Sequence, residues 1–158
     1  MSDTSLVLKE KFHKSFGEAN QHFKRLETAI TEFSARYPLP ITQEIFSEMI
    51  LDAVGLAFAD QIIYRFSKTQ DTLGARVFKD FLNYQGDNPN RPFLDILNNL
   101  EKISILNTED WFVLREIRNE IAHDYENSNH RGYILLNEIF GKYHEFHKIL
   151  EALSKYID

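Results

Sequence analysis

The chain contains no cysteine. That excludes thiolate zinc sites, disulfide frameworks and cysteine nucleophiles, and it fits a reducing compartment such as the cytoplasm, where we expect the protein to work. Proline and glycine are scarce, at four and six residues in 158, which favours long helices over a turn-rich all-β fold. No apolar run approaches the ~18–20 residues needed to cross a bilayer, and no basic-then-apolar segment opens the chain, so neither a membrane span nor a signal peptide is expected. Positive charge is in deficit: 18 Lys and Arg stand against 24 Asp and Glu, a formal charge of −6. This is the wrong sign for holding nucleic acid by bulk electrostatics, so any RNA must be met at a local basic site. The chain also lacks a glycine-rich phosphate cradle and a G-x-S-x-G elbow, which argues against a P-loop nucleotide site and a serine hydrolase.

Aromatic residues are abundant, with thirteen Phe and seven Tyr. The length suits a single domain over 1–158 that needs no metal or disulfide for stability, with residues 1–4 expected to be disordered. Apolar residues recur at steps of three and four from Leu8 to Phe33, predicting a helix over about 5–35 that ends at "RYPLP". Thr42 is placed to cap a second long helix defined by Ile45, Met49, Asp52, Leu56, Ala59 and Ile63. Its middle, "ILDAVGLAFADQII", is apolar nearly all round and is expected at the centre. "SKTQDTLG" (67–74) is a candidate bend before "ARVFKDFLNY" resumes the helical period, and "QGDNPNRP" is a loop. A third helix covers "FLDILNNLEKISI", "NTED" starts a fourth over about 109–123, "ENSNHRG" is a loop, and a last helix spans about 132–156. The expected fold is an all-α, up-and-down bundle of four or five helices.

The fourth helix carries "REIRNEIAHDYE". On a wheel of 100° per residue, Trp111, Leu114, Ile117 and Ile121 share a core face with Tyr125, while Phe112, Asn119 and His123 lie opposite and Arg115 and Ala122 flank them. Arg118 stands at the edge of the core stripe, about 140° from His123. Within one straight helix the two do not converge, whereas a two-fold dimer could bring the arginine of one chain to the histidine of its partner. The bare Arg–His spacing carries no information, because eight Arg and six His supply roughly one such pair by chance. The fuller pattern, Arg118-Asn119, two residues, Ala122-His123, one residue, Tyr125, carries more. Against it, the stretch from Glu109 to Glu126 holds six carboxylates; Arg65, Lys68, Arg76 and Lys79, together in one helical region, are the basic residues placed to compensate.

"RNEIAHDY" near the end of a penultimate long helix, together with "IIYRFSKTQDTLG" (62–74), resembles the HEPN superfamily. In particular it resembles the HepT-like toxins paired with minimal nucleotidyltransferases. The resemblance implies a HEPN-like bundle that dimerises through the motif helices and, in active members, cuts RNA without a metal. Arg118, Asn119 and His123 are then the catalytic residues: His123 the general base, Arg118 the phosphate binder, and Asn119 placed to orient the imidazole or donate to the phosphate. Arg115 and Arg65 are possible supports. Tyr125 is the expected site of AMP attachment by the nucleotidyltransferase antitoxin, with a core-edge aromatic as the plain alternative. The partners implied are a second copy of the chain, that antitoxin and RNA, with no cofactor and no metal; a HEPN subunit that binds a nucleotidyltransferase without catalysis is the other reading. Among the remaining candidates, Asp60, Arg65 and Asp71 are placed to approach the motif helix, and a carboxylate there would fix Arg118. His144 and His147 share a face of the last helix without an evident third ligand. His13 and His22 are expected on the surface and His130 in a loop.

Overall fold

The computed structural model describes residues 2–125 and 131–158, with the backbone alone for Asp124 and Tyr125. Every regular element among them is helical. Helix α1 spans Asp3–Arg36. It starts earlier than its apolar period suggests, because Ser2 Oγ accepts the Ser5 backbone N–H at 3.1 Å and Asp3 sits at the positive end of the helix. It stops at Tyr37, whose extended backbone precedes Pro38.

The second helix expected from Ile45 to Ile63 is two. Thr42 caps α2, Gln43–Met49, by accepting the Ile45 N–H at 3.1 Å. The chain then breaks, and Asp52 caps α3, Ala53–Thr72, by accepting the Val54 N–H at 3.2 Å. The carboxylate that interrupted the apolar stripe is thus a helix start, and Tyr37 Oη donates to its other oxygen at 3.0 Å. In consequence the apolar side chains around the start of α3 are peripheral: Leu51, just before it, is 87% exposed and Val54, in its first turn, 50%. Gly55 is buried against Tyr37, and buried apolar side chains begin at Ala59 and continue through Ile62, Ile63 and Phe66. "SKTQDTLG" does not break the rod. α3 runs through a π-helical turn, Leu73–Val77, into α4, Phe78–Tyr84. A Cβ on Gly74, inside that turn, would stand 3.1 Å from Trp111 Cζ2, so glycine is what lets the rod approach the indole.

Gly86, at φ 87°, turns the chain after α4. Helix α5 spans Phe93–Lys102 and α6 spans Thr108–Glu120, the latter capped by Asn107, which accepts the Asp110 N–H at 3.0 Å. A second π-helical turn, Ile121–Tyr125, extends α6. The expected last helix is interrupted at Tyr143, giving α7, Gly132–Lys142, and α8, His144–Ser154. There the Phe146 N–H reaches only three residues back, to the Tyr143 carbonyl at 3.1 Å, which tightens the turn.

The result is an all-α bundle. Its long rods are α1, α3–α4, α6 and α7–α8, with α5 a shorter fifth helix and α2 a short one against α7. α1 lies along α3 and α4, and α6 lies between α3 and α7. Phe12, Phe33, Phe66, Phe78, Phe81, Trp111 and Phe146 are fully buried in a shared core. Much of the aromatic excess is thereby spent on packing rather than on chemistry. No helix among the described residues is long and apolar enough to cross a membrane.

Candidate functional site

The core face read from α6 is the one observed, since Trp111, Leu114, Ile117 and Ile121 are buried. Phe112, Arg115, Asn119, Ala122 and His123 are exposed, and Arg118 is half-buried at the edge between the two faces. The three expected catalytic residues therefore lie on or beside the outer surface of one helix.

Arg118 is held by Asp71 of α3. Its Nε donates to Asp71 Oδ1 and its Nη2 to Asp71 Oδ2, each at 3.1 Å. This is a planar, two-pronged match of guanidinium to carboxylate. A guanidinium has five N–H groups. The Asp71 carboxylate engages two of them, and the pair fixes the orientation of Arg118. Of the three residues placed to approach the motif helix, Asp71 does so directly. Asp60 lines the same cleft as Arg118 and Asp71, of about 450 Å³, together with Ile63, Tyr64, Ser67 and Lys68. The Ser67 hydroxyl is buried at this cleft without a hydrogen-bond partner.

Arg65 turns toward α1. Its guanidinium donates to His22 Nδ1 of α1 at 2.7 Å and lies 5.0 Å from the centre of the Tyr64 ring. Arginine can only donate, so His22 Nδ1 must accept, which sets a neutral imidazole with its proton on Nε2. Burial, and then the charges of Arg65, Lys68 and Arg25, hold the His22 pKa below its ordinary value. The sequence offered no signal that this histidine is packed rather than superficial. Arg115 lines the cleft next to that of Arg118, with Asp71 common to both. Its guanidinium lies 5.8 Å from the centre of the Phe93 ring, at a cleft of about 270 Å³ formed with Gln70, Asp71, Gly74, Ala75 and Trp111.

The π-helical turn begins three residues after Arg118 and contains His123. A turn closed by i→i+5 bonds spreads its rotation over more residues than an α turn. The arc between Arg118 and His123 is therefore smaller than a straight helix would give. The side chain of Tyr125, and with it the expected modification site, lies outside the described residues, as do His130 and the rest of 126–130.

The carboxylates of α6 segregate from its arginines. Glu116 and Glu120 line a cleft against α7 with Glu138. Burial, followed by the charge and hydrogen bond of Glu120, raises the Glu138 pKa, with Arg131 opposing. This acidic cluster had no counterpart in the sequence reading, because it joins an i, i+4 pair on one helix to a residue on the next. His144 lies 3.3 Å from Glu145, and His147 lies 3.5 Å from Glu151 and packs on Phe23. No group of three or more potential metal ligands occurs among the described residues. The chain matches no protein-family model, no curated protein and no solved structure at a significant level.

Proposed function

We propose that the chain is a HEPN-type endoribonuclease, the toxin of a pair with a minimal nucleotidyltransferase. The observation that carries the reading is the fixed Arg118: a guanidinium gripped by Asp71 through two of its N–H groups, five residues before an exposed His123 on the same helix. RNA supplies its own nucleophile. The 2′-hydroxyl attacks the adjacent phosphorus as His123 takes its proton, a cyclic phosphate forms, and the 5′-oxygen leaves and takes up a proton. Arg118 neutralises charge that develops on the phosphoryl oxygens, and Asn119 orients the imidazole or donates to the phosphate. These groups provide base and charge stabilisation without calling on a metal. The exposed face of Phe112, Asn119, Ala122 and His123 is the surface through which two copies would pair, so that Arg118 of one protomer and His123 of its partner line one cleft. Tyr125 is the residue the nucleotidyltransferase would modify.

The test is His123→Ala in the full chain. RNA cleavage should disappear while the helical circular dichroism is unchanged. Undiminished cleavage by that variant would remove His123 from the chemistry, and a protein that is monomeric at micromolar concentration would refute the shared site. A bulky charged residue at Ala122 should split the dimer.

One observation favours a second reading, a HEPN subunit that binds a nucleotidyltransferase and cuts nothing: the charge of Arg118 is already matched by a carboxylate. On that reading no RNA is cut at any pH, and the nucleotidyltransferase co-purifies with the chain.

A further inference from the structure

We infer that the α3–α4 rod carries a binding track for single-stranded nucleic acid, running from Arg118 past Arg115 to Lys79. This deepens the ribonuclease reading and rests on it for the role of the track, though not for its location. Three clefts follow one another along the rod. The first, containing Arg118, shares Asp71 with the second, containing Arg115. The second shares Ala75 with a third of about 420 Å³, which contains Lys11, Arg76 and Lys79. From Tyr64 to Lys79 the rod rises about 22 Å at 1.5 Å per residue. That length suits on the order of four nucleotides, the short end of the range for single-strand clefts.

The charge along this line opposes that of the whole chain. With Lys68 in the first cleft, six cations line the three clefts, against the carboxylates Asp60, Asp71 and Asp80. The protein as a whole carries −6. On the other side of α6 the balance is reversed, with Glu116, Glu120 and Glu138 against Lys142. Two of the cations rest on rings, Lys68 at 5.7 Å from the centre of Tyr64 and Arg115 at 5.8 Å from that of Phe93. A ring face does not neutralise a charge as a carboxylate does. Arg76 is paired with Glu18, and Lys11 with Asp80 at 3.9 Å, contacts weak enough in water to be exchanged for phosphate.

Among the described residues, Ser67 Oγ at the first cleft and Trp111 Nε1 at the second are buried donors without an acceptor. A nucleic acid is rich in acceptors. Unpaired bases can also lay their faces on Tyr64, which is 48% exposed, and on the partly buried Phe93. A duplex keeps its base faces stacked inside and cannot do so. The alternation of cation and ring along one line therefore favours a single strand.

The experiment measures binding of a fluorescent 12-mer oligouridylate, 2′-O-methylated so that it cannot be cut, to the full chain. Lys79→Glu and Arg115→Glu should each weaken binding roughly tenfold or more, while Lys142→Glu on the acidic side stays within twofold. Four phosphate contacts give a slope of about −2.8 in log K against log salt, or roughly fifty-fold between 50 and 200 mM. Circular dichroism of each variant verifies folding. Equal affinity of Lys79→Glu, Arg115→Glu and wild type would overturn the track, as would equally tight binding of a 12-base-pair RNA duplex or of an acidic peptide of the same charge. Cleavage of unmodified RNA separates the two claims. A protein that cuts RNA and is indifferent to Lys79 and Arg115 keeps the ribonuclease reading and loses the track. One that binds through these residues and cuts nothing keeps the track and loses the ribonuclease.

Discussion

Asp71→Asn tests whether Asp71 holds Arg118 for use or holds it out of use. The two side chains are 46% and 29% exposed, so the pair belongs with surface ion pairs, which contribute about 0.2–1 kcal/mol. Its two parallel hydrogen bonds at 3.1 Å place it near the upper end of that range. For a chain of this length 1 kcal/mol corresponds to roughly 2–4 °C in Tm. The variant should therefore melt no more than about 4 °C below wild type in a thermal scan. The effect on activity should be larger in proportion. Freed from Asp71, Arg118 regains up to about 2 kcal/mol of rotamer freedom that must be given up again when phosphate binds. At 1.36 kcal/mol per tenfold, that lowers kcat/KM by at most roughly 30-fold. Removing the guanidinium itself, in Arg118→Ala, should cost on the order of 10²–10³-fold, as for other donors to a developing oxyanion. If Asp71 acts only through Arg118, the double variant should be no worse than Arg118→Ala alone. Faster cleavage by Asp71→Asn than by wild type would refute the positioning argument and identify Asp71 as a competitor of phosphate. Additive losses in the double variant would show that Asp71 has a role of its own.

Gly74→Ala should destabilise by roughly 1 kcal/mol or more by chemical denaturation, because the added methyl meets an indole wedged against Phe78 and the overpacking outweighs the usual helical gain. Gly17→Ala, where nothing lies within 4 Å, should instead stabilise by up to about 1 kcal/mol. The depressed His22 pKa means that the unfolded chain binds the extra proton first. Stability is then full above the unfolded pKa near ~6.5 and falls as pH drops through the folded value, a slope that His22→Gln should flatten in urea titrations between pH 7 and 5. Glu138 has the opposite sign, for its raised pKa favours the folded state only while the proton is retained. Glu138→Gln should accordingly raise Tm at pH 7 and make little difference at pH 4.

Much of the bundle was legible because helical period and capping are local. The α1 stripe, the Thr42 cap, the helix start at "NTED" and the core face of α6 all follow from residues within a few positions of one another. What escaped depended on a competing local signal or on a distant partner. Asp52 falls in register with the stripe that defines one long second helix, but a carboxylate that can accept a nearby backbone N–H is better used as a cap than inside a helix. "SKTQDTLG" looked like a break. The helix continues there with the Thr69 hydroxyl satisfied inside it, Thr69 Oγ1 donating to the Arg65 carbonyl at 2.7 Å, and widens into a π turn over Gly74. At the site, a wheel could put Arg118 at the edge of the core stripe and could not choose its partner. Asp60 and Asp71 were equally eligible carboxylates by sequence, and the packing of α3 on α6 gives the guanidinium to Asp71.

The acidity of the motif helix stood as the main objection to an RNA site, and the geometry alters its weight. Arg115 and Arg118 line clefts on the α3 side, while Glu116 and Glu120 line the cleft against α7. A helix with its side chains is about 10–12 Å across, slightly more than the Debye length of about 8 Å at physiological salt. Carboxylates on the far side of α6 are therefore largely screened from a phosphate on the near side, and the charge that a strand meets is that of the cleft. At 0.01 M salt the Debye length grows to about 30 Å, and the whole chain's −6 is felt. Lowering the salt should then strengthen binding less steeply than the contacts at the clefts alone would dictate.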